Sequence, residues 1–552
     1  MTTEELRDDL KKIIEGDVSL EEADIEHYAR DTSLFYVRPR LVVFPKHKDD
    51  VQKLVKFVAE KKGQGEDVTL TARAAGTCMT GGPLTESIVF DATRYMNHME
   101  EVTESYALTE PGVFYRDFEP RTLEKGWIMP SYPASREMAA MGGIICNNSG
   151  GEKTLVYGKA ENFIKDIDVV YANGETDKLR ALNREELEAK MKEDNEGGRI
   201  HREMYKLIDE NYDKIMQAKP TVSKNSAGYL LWNVYNRDTG VFDMPKLIAG
   251  SQGTLAMMTR ATITGVVPKK HRRMLVMFVP STSHLGEIIP DLLRHQPETM
   301  ESYDDNTFKV AIKFFKDIAI RMGGNMFTLG LQFLPEFWMA VTGGIPKIIL
   351  LAEFAGDSET DVARQRDEAY EDMKKFNLHM RKTSSDQESK KYWTFRRESF
   401  ALLRKRMQGM RTAPVIDDIC VHPRDLPEFM PKLEKLLAQE KYKDLVSTIA
   451  GHMGDANFHI VPLVDIHKEG IVDVLHQLMD EVYSLVVEYK GSITAEHNDG
   501  LLRTPYLPKM YSQEILSLFE KTKDIFDPKG IFNPHKKVRG DMQYSFSKVD
   551  KK

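Results

Sequence analysis

The spacing of apolar residues along this chain changes period several times, and each change marks an element. Leu6, Leu10, Ile13 and Ile14 recur at helical spacing over residues 3–14 and predict a short amphipathic helix. From Pro39 the texture changes. Residues 41–44 read as a strand, Val51, Leu54, Val55 and Val58 lie at helical core spacing with Gly63 as a stop, and residues 68–72 read as a second strand. Together they predict a β-α-β unit. Residues 167–171, closed by the turn Asn173-Gly174, and residues 261–267 read as further strands. Residues 183–217 between them are charge-rich and helical, and are expected to form an exposed insertion. From about His271, strands (274–279, 348–354) alternate with helices near 284–295, 306–321 and 359–375, which predicts a separate α+β domain. Over 470–489, Ile471, Val474, Leu475, Leu478, Val482 and Leu485 share one helical face that ends before Gly491.

A chain of 552 residues exceeds one ordinary core and predicts two or three domains. With 41% hydrophobic and 29% charged residues it reads as soluble and globular. A net charge of −8, with no basic block interleaved with aromatics, argues against a nucleic-acid partner. Cys78, Cys146 and Cys420 lie too far apart for a disulfide framework or for iron–sulfur or zinc ligation, so a reducing, cytoplasmic setting is expected. The acidic start lacks a signal peptide's basic and apolar regions. The longest apolar run, 337–354, is broken by Gly343, Gly344, Pro346 and Lys347, so no integral membrane span is expected; peripheral contact at the inner face stays open.

Three clusters of small residues stand out: 73–82 (Arg73, Ala74, Ala75, Gly76, Thr77 through Gly81 and Gly82), 141–151 (with Gly142, Gly143 and Asn147) and 250–255. Small side chains admit close backbone approach, and consecutive N–H groups in such turns form an anion-binding concavity. None has Walker or GxGxxG spacing. Lys224-Asn225-Ser226-Ala227-Gly228-Tyr229 reads as a polar turn or a ligand-facing loop. The strongest concentration of reactive residues is His452 and His459 within 451–459, answered by Glu496-His497. On one unbroken strand the two histidines would face opposite sides. A strand, a glycine-permitted turn and a second strand from Asn457 would bring them together. Two imidazoles and a carboxylate suit a divalent ion with open positions, which makes His452, His459 and Glu496 candidate ligands and leaves His497 as a proton acceptor. The arginine-rich run after Trp393 reads as a solvated face, from which one inward guanidinium would make a carboxylate clamp.

In this order the segments resemble the FAD-linked oxidase family that shares the vanillyl-alcohol-oxidase/PCMH flavin fold, and within it the D-lactate, D-2-hydroxyglutarate and glycolate dehydrogenase branch. The similarity runs from about residue 35 to 538. It implies an α+β fold with an N-terminal helical segment (1–34), a PCMH-type FAD-binding domain (35–268), a substrate or cap domain carrying the metal site (269–505), a C-terminal segment returning to the flavin (506–538) and a frayed tail (539–552). It implies that the loop Arg73–Gly82 wraps the FAD pyrophosphate, that the segment Pro133–Gly143, with Gly142, passes the pyrophosphate and isoalloxazine, and that Asn147, Tyr157, Gly158, Asn162 and Asn533 continue the flavin site. It further implies a zinc- or manganese-like metal on His452, His459 and Glu496, with His497 as catalytic base and Arg396, or failing it Arg397, as carboxylate partner. The implied reaction oxidises a small D-2-hydroxy acid, D-lactate foremost, with hydride transfer to flavin N5. The electrons would pass to a quinone, a cytochrome or a separate iron–sulfur or electron-transfer protein.

This chain departs from the family at Ala456 and Asn498, where relatives carry glycine, and at Gln252, where they carry glutamate. Ile416 and Val461 replace a lysine and an asparagine of the D-2-hydroxyglutarate enzymes, which disfavours a second substrate carboxylate. With Cys78 in the phosphate loop and no histidine there, non-covalent FAD is expected. Two other readings are a flavin-binding electron-transfer subunit without its own substrate site and a transferase like the alkyl-dihydroxyacetone-phosphate synthases. The latter carry a histidine run where this chain has Glu496-His497-Asn498.

Overall fold

The computed structural model describes residues 1–305, 346–386, 409–445 and 449–551, together with 388–390, 392–394 and 396. The expected helix at 306–321 and the alternative clamp Arg397 lie outside the described residues.

The first sheet runs Asp17–Ser19, Leu41–Phe44, Ile88–Asp91, Leu70–Arg73. Its last three strands are parallel, and helix Lys48–Gly63 makes the predicted crossover, but Ile88–Asp91 lies between the two strands the sequence pairs. Apolar side chains on both faces fit a buried parallel sheet. The N-terminal segment is not only helical. After helix Thr3–Ile13, the strand Asp17–Ser19 adds antiparallel to Leu41–Phe44, in a stretch too short to show a period. The C-terminal segment returns here, with Asn533 N–H donating to the Leu70 carbonyl at 3.0 Å.

The second sheet is antiparallel and ordered Met99–Val102, Ala107–Thr109, Met257–Ile263, Ile164–Val170, Thr176–Leu182, Val241–Asp243, Tyr235–Asn236. The charged stretch forms three helices, but it is not an exposed insertion. Ile200, Met204 and Ile208 of helix Glu196–Glu210 are fully buried, and Arg199 donates to the Ile525 carbonyl at 2.7 Å. An amphipathic stripe was masked by the charge density around it.

The third sheet, also antiparallel, is ordered His379–Lys382, His271–Val279, Ile348–Gly356, Thr299–Asp304, Ile449–His452, Asn457–Ile460, Ile419–Cys420. One face, with Leu275, Met277, Leu350 and Ala352, packs into a core shared with helices Leu285–Leu293, Leu426–Leu437 and Ile471–Glu488. The strand period of two puts Glu301, Glu353 and His452 on the other face. Residues after Val538 do not fray: helix Met542–Ser547 leads to Val549, which bridges Phe35, and to buried Asp550, which binds Arg30 and Arg411.

Candidate active site

The site is built on the third sheet's central hairpin. Ala450 pairs with His459 and His452 with Asn457, so the two histidines sit diagonally on one face, with ring centroids 5.1 Å apart. The strands approach closely because position 451 is glycine; a Cβ there would lie 2.1 Å from the Asn457 carbonyl oxygen. The left-handed residue of the turn is not a glycine but Ala456, at φ +48°.

Glu496 and His497 arrive on an irregular segment gripped by Asp418. One carboxylate oxygen, Oδ2, accepts the N–H groups of Glu496 at 2.8 Å and His497 at 2.7 Å, and the Thr494 hydroxyl at 2.8 Å. Held this way, neighbouring residues converge where adjacency would otherwise keep them apart. Donor atoms of Asp418, His459, Glu496 and His497 all lie within 4.8 Å of one another. Asp418 is consumed by these bonds and by Asn457, so it positions the segment. His452 joins through Nε2, 3.4 Å from Glu496 Oε2. The structure therefore brings together all four residues singled out for metal and proton chemistry.

Sequence reasoning missed the groups around them. Glu301, fully buried, holds His452 Nδ1 at 2.6 Å and pairs with Arg396. Arg396 thus lies beside the site, and its Nε has no partner among the described residues. Asp417 lies 3.1 Å from His459 Nδ1 and 2.8 Å from His497 Nδ1, the second contact out of line with the ring N–H. Lys224, in the segment read as a turn or loop, is fully buried and binds Glu496 Oε1 at 2.6 Å and Asp455 Oδ2 at 3.2 Å. No periodicity signals such residues. The available hints were the oddity of Asp417-Asp418 inside an apolar run and the polar stretch that begins at Lys224.

Charge balance explains the protonation of the cluster. Burial opposes a charge on His452, but the Glu301 carboxylate overrides it and holds the imidazole up at about 9. Burial likewise opposes a charge on His497, and Asp418 and Asp417 override it, again to about 9. Burial works against the Glu496 carboxylate, yet Lys224 and His452 hold it well below the usual range. Carboxylates at Glu301, Asp417, Asp418, Asp455 and Glu496 outnumber the cations at Lys159, Lys224, Arg396 and Arg503, an excess that favours imidazolium ions. A dication would supply positive charge in their place and leave the imidazoles neutral. The mixed nitrogen and oxygen donor set fits zinc or manganese.

The small-residue clusters meet beside this site. Arg73 ends its strand and lies over the Tyr28 ring at 5.1 Å, under the loop that begins at Ala74. The N–H groups of residues 75–79, including Ala75, Gly76 and Thr77, find no protein acceptor among the described residues. Such an array fits a diphosphate. Gly81 N–H instead donates to Asp31 at 3.0 Å. A Cβ on Gly143 would lie 3.6 Å from that of Ala74, and Gly142 packs on Pro111, so the second cluster stacks on the first. Pro133 backs Gly151. Asn148 Nδ2 and Ser251 Oγ are buried without partners among the described residues, as expected of groups that face a ligand. Asn533 is used internally, donating to the Gly82 and Gln252 carbonyls and accepting from Thr71. Tyr157 donates to Glu298 at 3.0 Å, and Asn162 packs under Gly158 and donates to the Tyr157 carbonyl. Asn147 donates to the Glu496 carbonyl at 3.0 Å, and a Cβ on Gly150 would lie 2.9 Å from Glu496 Oε1. The loops and the histidine cluster are thus in direct contact.

Comparison with known proteins bears on this arrangement. The family described as FAD linked oxidases, C-terminal domain, matches residues 268–537, and an FAD binding domain matches residues 39–180. A D-2-hydroxyglutarate dehydrogenase of Haemophilus influenzae is 24% identical over 550 residues, covering 96% of this chain and 51% of the relative, so the chain spans about half the length of such relatives. A D-lactate dehydrogenase of Archaeoglobus fulgidus is 26% identical over 506 residues, covering 90% of this chain and 91% of the relative. The solved structure of p-cresol methylhydroxylase with substrate bound aligns with a TM-score of 0.67 at 14% identity, over 97% of each chain, a likeness of fold. Among the described residues no helix is long and apolar enough to cross a membrane. The two matches follow one another along a chain whose first two sheets carry the small-residue loops and whose third carries the histidine cluster: this protein belongs to the FAD-linked oxidase family, with a PCMH-type fold.

Proposed function

We propose that this protein oxidises a small D-2-hydroxy acid, D-lactate foremost, to the 2-oxo acid. It would use non-covalent FAD and a zinc- or manganese-like ion on His452, His459 and Glu496. The observation that carries this reading is the seat of Glu496, which touches the histidines on one side and the Asn147–Gly150 loop on the other. When bound, FAD supplies the hydride acceptor and the metal supplies Lewis acidity. His497 takes the hydroxyl proton, a task suited to an imidazole once it is neutral. Arg396, its Nε without a partner among the described residues and its other edge anchored on Glu301, receives the substrate carboxylate. Ile416, fully buried, and Val461, nearly so, offer nothing to a second carboxylate, which favours D-lactate over D-2-hydroxyglutarate. Burial raises the Cys78 thiol, which disfavours a thioether to the flavin. Electrons leave to a non-nicotinamide acceptor.

Anaerobic mixing with a panel of D-hydroxy acids tests the reading. Bleaching of the flavin band by D-lactate, lost after chelation and restored by manganese or zinc, is the expected result. Silence across the panel rejects it and favours an electron-transfer subunit. His497→Ala should keep FAD and lose flavin reduction, and unchanged reduction would remove His497 from its role.

A further inference from the structure

Both imidazoles proposed for chemistry turn the same ring nitrogen toward one side chain. Asp417, fully buried, puts Oδ1 3.1 Å from His459 Nδ1 and Oδ2 2.8 Å from His497 Nδ1. The two rings lie nearly parallel, 22° apart, with centroids separated by 5.1 Å. A carboxylate accepts and never donates, so His459, in hydrogen-bonding line with Oδ1, is driven to keep its proton on Nδ1; at His497 the contact is out of line, and the negative charge 2.8 Å from Nδ1 favours the same tautomer electrostatically. Nε2 of each is then left with a lone pair for work elsewhere.

We propose that Asp417 is the positioning residue of this site: one carboxylate sets the tautomer of the metal-ligating His459 and of the proton-accepting His497 together. The inference rests on the hydroxy-acid dehydrogenase reading above. A ligand histidine needs its Nε2 unprotonated, and so does a base. Separate partners could set each, but here one buried group serves both, so the two functions stand or fall together. Asp417 is itself held in place. Arg503, fully buried, donates to its backbone carbonyl and, at 3.2 Å, to that of Asn498. The pairing of Asp418 with the 494–497 segment fixes the next residue along. Hydrogen bonds of this kind to a ligand histidine are worth roughly 10–100-fold in metal affinity.

The test compares wild type with Asp417→Asn as FAD-loaded proteins. An amide can accept from one Nδ1–H, but its NH2 group faces the other Nδ1 and moves that ring's proton to Nε2. The variant should keep its flavin-to-protein ratio. It should bind Mn²⁺ about 10–100-fold more weakly by titration calorimetry, and at saturating Mn²⁺ should lose kcat for D-lactate with little change in KM. A wild-type crystal soaked with Zn²⁺ gives a readout that needs no variant: His459 should coordinate through Nε2 with Nδ1 still on Asp417. Wild-type affinity and rate in Asp417→Asn, or coordination through Nδ1 or through Asp417 itself, overturns the inference alone. A wild type that binds neither metal overturns the reading it rests on as well.

Discussion

Asn147 and Glu496, 349 residues apart, are joined by a hydrogen bond of 3.0 Å from the amide Nδ2 to the backbone carbonyl. The other end of the same amide accepts from Gln252 at 3.3 Å. Gln252 in turn accepts the Gly500 N–H at 2.9 Å through Oε1. One side chain from each of two small-residue clusters thus pins the segment that carries Glu496 and His497. Asn147→Ala leaves the carbonyl and the Gln252 amide without these partners, a loss of about 1–3 kcal/mol. Its larger effect should be on alignment. Flavin reduction by D-lactate should fall on the order of 100-fold with FAD retained, as read by stopped-flow absorbance. A full rate with an intact flavin spectrum would show that this bond plays no part in alignment.

The hairpin that carries His452 and His459 depends on close approach of its strands at Gly451. A methyl group there would overlap the Asn457 carbonyl, and no flexible side chain can yield in its place. Gly451→Ala should push the strands apart by about an ångström and cost roughly 1–3 kcal/mol through overpacking. Metal binding by calorimetry should be lost before FAD is, because the small-residue loops lie on other elements. Loss of flavin at the same step would mean that the whole interface had moved.

Much of this architecture was legible in the chain, and the limits follow a physical rule. Long periodic stretches announced themselves, such as the helix Ile471–Glu488 and the strand Ile348–Gly356. The histidine hairpin could be argued from two histidines that no single strand could place on one side. Three-residue strands such as Asp17–Ser19 are too short to show a period. The stripe of helix Glu196–Glu210 was outweighed by its charges. Ala456 departs from the family's glycine yet keeps the left-handed backbone, at φ +48°. Asn498 does the same at φ +69°, where asparagine is tolerated, and its side chain donates to the Gly250 carbonyl at 2.9 Å. Glu301, Asp417 and Lys224 remained hidden because a partner's identity depends on tertiary contact, which one sequence does not display.

Lys224 is a fixed cation lodged against the carboxylate proposed to hold a metal. Lys224→Met leaves Glu496 and Asp455 buried together with one positive charge fewer. Breaking a buried pair this way costs about 3–5 kcal/mol, which should appear as a lower melting temperature in chelator. The freed Glu496 oxygen then attracts a dication more strongly, so Mn²⁺ should bind the variant more tightly and raise its melting temperature further than that of wild type. Equal losses with and without metal would separate Lys224 from the site.

Glu353 offers a handle on pH, because it lies on the site-bearing face of the third sheet and away from the proposed ligands. Burial raises its carboxyl to about 7, against the pull of Trp393, whose Nε1 donates at 3.0 Å, and of Arg272 at 3.6 Å. A carboxyl with a raised folded-state pKa binds its proton more tightly when folded than when unfolded. Between the ordinary value of 4.5 and about 7 the folded chain therefore holds a proton that the unfolded chain has released, and stability falls as pH rises through that window. Above it the penalty is constant, at an upper bound of roughly 3 kcal/mol. Glu353→Gln keeps an acceptor for Trp393 and removes the ionisation. The variant should melt higher than wild type at pH 8, and the gain should shrink steadily to nothing by pH 4.5. A gain that is the same at both ends would trace to packing, and a loss at pH 8 would mean that ionised Glu353 is held favourably by Arg272 after all.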